Sequence, residues 1–123
     1  MIKLPDFERS FEYENDFYLS SDITRIGKIL AHYELYKMVF DIPGAIVECG
    51  VFKGTSLIRF ATFRDLFGNS FSKKIIGFDT FAGFPETNFE DDKKMRQYHL
   101  DTAGGESISK QQLLDIFKHK NID

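Results

Sequence analysis

Val47-Glu48-Cys49-Gly50-Val51-Phe52-Lys53-Gly54, followed further along by Phe78-Asp79-Thr80-Phe81, is the part of this chain that decides its fold. Pro43-Gly44 interrupts the sequence just before it, and Ala45-Ile46-Val47-Glu48-Cys49 is a short apolar run bounded by glycine, the pattern of a buried strand. Gly50 and Gly54 then bracket a tight turn. Beyond it, Leu57, Ile58, Phe60, Ala61, Phe63, Leu66 and Phe67 give a helix a broad apolar face, closed by Gly68. Lys73-Lys74-Ile75-Ile76-Gly77-Phe78-Asp79 supplies a second buried strand. Strand, helix and strand in that order imply a right-handed parallel crossover, and so an α/β domain built on a parallel sheet.

Working outward from this unit, Asp22 is a cap for a helix running to about residue 40, because Ile23, Ile26, Ile29, Leu30, Tyr33, Tyr36 and Val39 recur near helical spacing. Residues 1–21 mix acids with Phe7, Phe11, Tyr13, Phe17 and Tyr18 in neither period, and read as an irregular arm. The arm is expected to cover the domain or to make a subunit contact in a homo-oligomer, with a flap over an active site as the alternative, and the domain proper is expected over residues 22–123. Residues 82–107 are polar, with Pro85, Asn88, Asp91, Asp92 and Gly104-Gly105, and read as a long surface loop. Ser109 and Gln112 form a capping-box pattern for a last helix carrying Leu113, Leu114, Ile116 and Phe117. Asn121 ends that helix, and Ile122-Asp123 is expected to begin a third strand, leaving the Rossmann-like sheet incomplete at the C-terminus.

Composition narrows the function classes. At 123 residues the chain is short for a doubly wound domain, while 42% hydrophobic and 28% charged residues are ordinary for a globular one. A net charge of -3, with no dense Lys/Arg tract, argues against a grip on nucleic-acid phosphates. No apolar run approaches the roughly 20 residues that cross a bilayer. The single cysteine and the polar start Met1-Ile2-Lys3-Leu4-Pro5-Asp6 make the cytoplasm the expected compartment. Most of the 14 Phe are expected in the core, and Cys49 is expected to be a buried small hydrophobe.

The turn after the first strand carries the chemistry. A small anionic or zwitterionic ligand fits where a parallel strand ends and a helix begins, since free N–H groups and the helix dipole point there. A P-loop is excluded because Lys53 precedes Gly54, and Thr55-Ser56 follow it directly. The dinucleotide fingerprint is excluded because Phe52 stands where its middle glycine would be. What remains is acid-x-Gly-x-x-x-Gly from Glu48 to Gly54, with a second acid, Asp79, ending the next strand. The two acids together suit S-adenosylmethionine: Glu48 near its cationic amino-acid end, Gly50 in van der Waals contact, Ser56 donating to its carboxylate, and Asp79 accepting from both ribose hydroxyls.

Two blocks carry a family resemblance. Residues 43–54, from Pro43-Gly44 through Glu48-Cys49-Gly50-Val51-Phe52-Lys53-Gly54, and residues 77–85, Gly77-Phe78-Asp79-Thr80-Phe81-Ala82-Gly83-Phe84-Pro85, resemble the macrocin O-methyltransferase (TylF/MycF-like) group of class I methyltransferases. Phe52 stands where this family places an aromatic residue. Thr80 departs from its usual Ser and Ala82 from its usual Glu. The resemblance implies S-adenosylmethionine as cofactor, methyl transfer to a small-molecule hydroxyl, typically on a sugar, and a cofactor site built from Glu48, Cys49, Gly50, Val51, Phe52, Gly54, Ser56, Asp79, Thr80 and Phe81. It also implies that the catalytic base and the acidic ligands for Mg2+ come from strands beyond those read here. The alternatives are a truncated, non-catalytic Rossmann-like fragment and a nicotinamide-dependent oxidoreductase.

Other chemistry-bearing side chains receive structural readings. Asp91 and Asp92 are expected to be solvated, His32 and Tyr33 to be packing residues of the first long helix, and His99 and His119 to lie at the surface.

Overall fold

A computed structural model describes residues 1–68 and 71–123. A short 3-10 turn, Phe7–Arg9, leads into α1 (Ser10–Ser20) and α2 (Ile23–Val39); then come β1 (Ala45–Cys49), α3 (Thr55–Phe67), β2 (Lys74–Phe78), α4 (Glu90–Ala103) and α5 (Lys110–Lys120). β1 and β2 pair in parallel, in register from Ala45 beside Lys74 to Cys49 beside Phe78. The strand-helix-strand unit is therefore present as its sequence requires, in an α/β fold with a small parallel sheet.

Local signals account for most boundaries. Asp22 Oδ1 accepts from the backbone N–H groups of Thr24 (2.9 Å) and Arg25 (3.3 Å), capping α2. The capping box at α5 is complete: Ser109 Oγ accepts from Gln112 N–H, and Gln112 Oε1 accepts from Ser109 N–H, each at 3.1 Å. Asn121 ends that helix in the left-handed region at φ 54°.

Two packed regions hold the layers together. One joins Val51, Leu57, Ile108, Leu113 and Ile116, with Ile2, Leu4 and Phe7 of the N-terminal segment against them. The other is an aromatic seam between α2 and α3, where Tyr33 and Tyr36 each lie 5.9 Å from Phe63 and His32 stacks on Phe60 at 4.9 Å. Arg64 is buried beneath this layer; its guanidinium donates to the carbonyls of Lys73 (3.2 Å) and Asp123 and pairs with Asp65 (3.0 Å).

Several expectations need correction. Residues 82–107 are not one loop, because α4 occupies Glu90–Ala103; it has no apolar stripe, and Glu90, Asp91 and Asp92 in its first turn complement the helix dipole. Residues 10–20 of the arm are helical, although α1 buries no residue. β1 is not fully buried: Val47 and Cys49 are exposed, since in a two-stranded sheet no further strand or layer covers that face. Against the expectation that most phenylalanines lie in the core, several are exposed, among them Phe11, Phe71, Phe78 and Phe89. Ile122 and Asp123 follow α5 without forming a strand.

Candidate functional site

Gly50 continues the ladder for one more bond, its N–H donating to Phe78 carbonyl at 2.8 Å, and then the backbone leaves the sheet at φ 90°. The turn closes when Gly54 N–H reaches Val51 carbonyl at 2.9 Å, and α3 begins at once. A Cβ at Gly50 would meet no atom within 4 Å, so the space above it is open to a ligand. Gly54 serves packing instead. At φ 79° a Cβ there would come within 3.1 Å of Leu113 Cδ1, so this glycine lets α5 pack close to the turn.

Asp79 is the hub of the site. Its Oδ2 accepts from the N–H groups of Val51 (2.6 Å) and Phe52 (3.0 Å), and its Oδ1 accepts from Phe81 N–H (2.8 Å) and, at 3.4 Å, from Thr80 Oγ1. Two of these donors, Phe52 (φ 52°) and Phe81 (φ 55°), sit in the left-handed region that bulky residues avoid. One carboxylate therefore holds two strained turns. The bond from Phe52 N–H leads the effects that keep the Asp79 carboxyl below its usual range, with Phe81 and Val51 adding to it against desolvation.

Glu48, the residue before the last of β1, lies on the partly buried side of the sheet. Ser56 Oγ, from the first turn of α3, donates to its Oε1 at 2.5 Å, while Oε2 is buried with no hydrogen-bond partner among the described residues. In this geometry the Ser56 hydroxyl orients Glu48 and is not free for a ligand carboxylate.

The cleft beside these groups has a volume of about 430 Å³ and is lined in part by Gly50, Phe52, Asp79, Thr80, Phe84 and His99. The structure thus brings Gly50, Phe52, Asp79 and Thr80 to one opening. Val51 and Gly54 lie buried under the turn, Phe81 lines a separate groove of about 700 Å³ between β2 and α5, and Cys49 is exposed at the strand end.

Reading α4 as loop concealed the rest of the site. His99, expected at the surface, stacks on Phe84 (4.3 Å between ring centroids) and leans on Phe52 (5.2 Å). Lys53 Nζ donates to Ala103 carbonyl at the end of α4 (2.6 Å), and Arg96 Nε donates to Pro85 carbonyl (2.8 Å). Gly105 carbonyl accepts from Phe84 N–H and Phe52 carbonyl accepts from Ile108 N–H, both at 2.8 Å. α4 is thereby tied to both turns. His119, by contrast, stacks on Phe7 at 4.2 Å, far along the chain from these residues, and Asp91 and Asp92 are exposed as expected.

No group of three His, Cys, Asp or Glu side chains suited to a metal ion occurs among the described residues, and no described helix is long and apolar enough to cross a membrane. A family model described as Macrocin-O-methyltransferase (TylF) matches residues 28–123. No curated protein and no solved structure matches the chain.

Proposed function

Because this chain belongs to the macrocin-O-methyltransferase (TylF) family, we propose that it is the cofactor-binding part of a class I, Rossmann-like O-methyltransferase that uses S-adenosylmethionine. The observation that carries this reading is the buried, unpartnered Oε2 of Glu48 at the end of β1, beside a glycine turn with open space above it. A buried carboxyl oxygen without a donor is costly, and the ammonium of an amino-acid moiety would relieve it. A phosphate ligand would do the opposite.

The remaining residues suit the same ligand. Asp79 Oδ1 carries one short bond and one at 3.4 Å, which leaves it capacity to accept from a ribose hydroxyl. Phe52 and Phe84 give the cleft apolar walls for a flat base. S-adenosylmethionine supplies an electrophilic methyl group when bound. The protein's own part is alignment: Glu48 held by Ser56 fixes one end of the ligand, and the Asp79 turn fixes the other. The acceptor is a small-molecule hydroxyl, which we take to be on a sugar; none of the described residues is assigned as the base that deprotonates it.

Isothermal titration of the chain with S-adenosylmethionine, S-adenosylhomocysteine and NAD tests the proposal. Both sulfur ligands are expected to bind, and Glu48→Gln to weaken them about tenfold, the scale of one charge-assisted hydrogen bond, with unchanged circular dichroism. Binding of NAD alone would discard the methyltransferase cofactor site in favour of a nicotinamide one.

A further inference from the structure

His99 enters the cleft from a helix that the glycine-turn motif does not include. Its ring stacks on Phe84 and meets Phe52 at a tilt, at centroid distances of 4.3 and 5.2 Å, and its Nε2 is buried without a hydrogen-bond partner among the described residues. Packing alone does not call for an imidazole here, since a phenyl ring would fill the stack without burying an unpaired nitrogen. The surroundings are costly to assemble for a surface residue: Lys53 anchors the end of α4, Arg96 anchors Pro85, and Phe84 is fixed through Gly105. Each of these ties places the His99–Phe84 pair on the wall of the cleft that Asp79 and Thr80 line from the other strand's end.

We propose that His99 is a ligand-positioning residue: Nε2 takes a hydrogen bond from, or gives one to, the polar edge of a heteroaromatic base seated in this cleft. The proposal rests on the reading of the cleft as an adenosyl site and adds the residue that reads its base. A flat ligand with an apolar face and a polar rim matches a wall lined by Phe52, Phe84 and His99. Because Nε2 is buried, seating the base requires a small turn of the His99–Phe84 pair. The unpaired nitrogen gains its partner in that step.

Titration of the full chain with S-adenosylhomocysteine, using His99→Phe and His99→Gln, tests this. His99→Phe keeps the stack and removes the nitrogen; it is expected to bind about tenfold more weakly while melting, without ligand, at or above the wild-type temperature. His99→Gln restores a polar atom and is expected to recover part of the affinity. In nitrogen-15 spectra of the wild type, the His99 Nε2 resonance is expected to move on ligand addition. Wild-type affinity in His99→Phe, or an unmoved Nε2 resonance when ligand is bound, overturns the role of His99 and leaves the cofactor assignment standing. A wild-type chain that binds no S-adenosylhomocysteine overturns both.

Discussion

Lys53 Nζ donates to the backbone carbonyl of Ala103 at 2.6 Å, joining the glycine turn after β1 to the last turn of α4. A basic residue beside a ligand-binding turn invites the reading that its charge meets the ligand. Here the charge meets a helix C-terminus, where carbonyls lack intrahelical partners and the dipole is negative. Lys53 positions α4, and α4 in turn positions His99 and the Pro85 segment.

Lys53→Met is therefore expected to loosen α4 more than the domain. Amide exchange in residues 90–103 should quicken, while the urea midpoint corresponds to a loss of only about 0.5–1.5 kcal/mol, the usual worth of an exposed hydrogen bond. Unchanged exchange in α4 would show that the helix is held by its other ties alone.

Gly77→Ala is expected to destabilise the sheet. Its Cβ would lie 2.9 Å from Val51 Cγ2 and 3.1 Å from Leu57 Cδ2, and both neighbours are buried. Overpacking of this kind costs about 1–3 kcal/mol, which urea denaturation resolves. A variant as stable as the wild type would mean that Val51 and Leu57 can shift freely, against their place in the core.

Asp79 gives a pH dependence of known sign. Its folded-state carboxyl is held below the unfolded value, so its contribution to stability is present above about pH 3.9 and is lost as acid protonates the folded form. Acid unfolding of Asp79→Asn should begin from a lower stability at neutral pH and show a shallower decline below about pH 4. Asn keeps one acceptor oxygen and cannot serve both Phe52 and Phe81.

His32 titrates in the opposite chemical sense with the same direction of effect. Burial lowers its pKa first, and the neighbouring Arg59 and Lys28 add to the shift; Arg59 Nη1 stands 3.1 Å from His32 Nδ1, a contact that suits a neutral ring. The neutral form is favoured in the folded chain, so the contribution is complete above the unfolded value of about 6.5 and falls as pH drops through the folded pKa. Comparing urea midpoints at about pH 7.5 and about pH 5.5 should show a loss in the wild type that His32→Gln lacks. Equal losses in both proteins would assign the effect to other groups.

Much of the core architecture was legible because its signals are local. Asp22, the Ser109–Gln112 pair and Asn121 mark helix ends by bonds spanning a few residues, and Gly50 and Gly54 mark a turn by their backbone angles. α4 was not legible from hydrophobic period, because it buries nothing fully; its signals were the spacings of Glu90 with Lys93 and Gln97 with Asp101, and Gly104 at its end. His99 was lost with it, since a residue assigned to a loop cannot be placed on a face. The exposure of Cys49 and Val47 was unreadable for another reason: burial of a strand depends on the layers around it, which a five-residue run does not encode. Likewise, an aspartate at a strand end announces a function but not that its oxygens already serve Val51, Phe52 and Phe81.

Any hydroxyl that arrives at Asp79 meets a carboxylate already engaged by two turns. Such a hydroxyl would use the spare acceptor capacity of Oδ1, and the bonds already made hold the carboxylate still to receive it. Residues 51–52 and 80–81, separated in sequence, thus share one anchor, so a change at Asp79 reaches the turns after both strands at once.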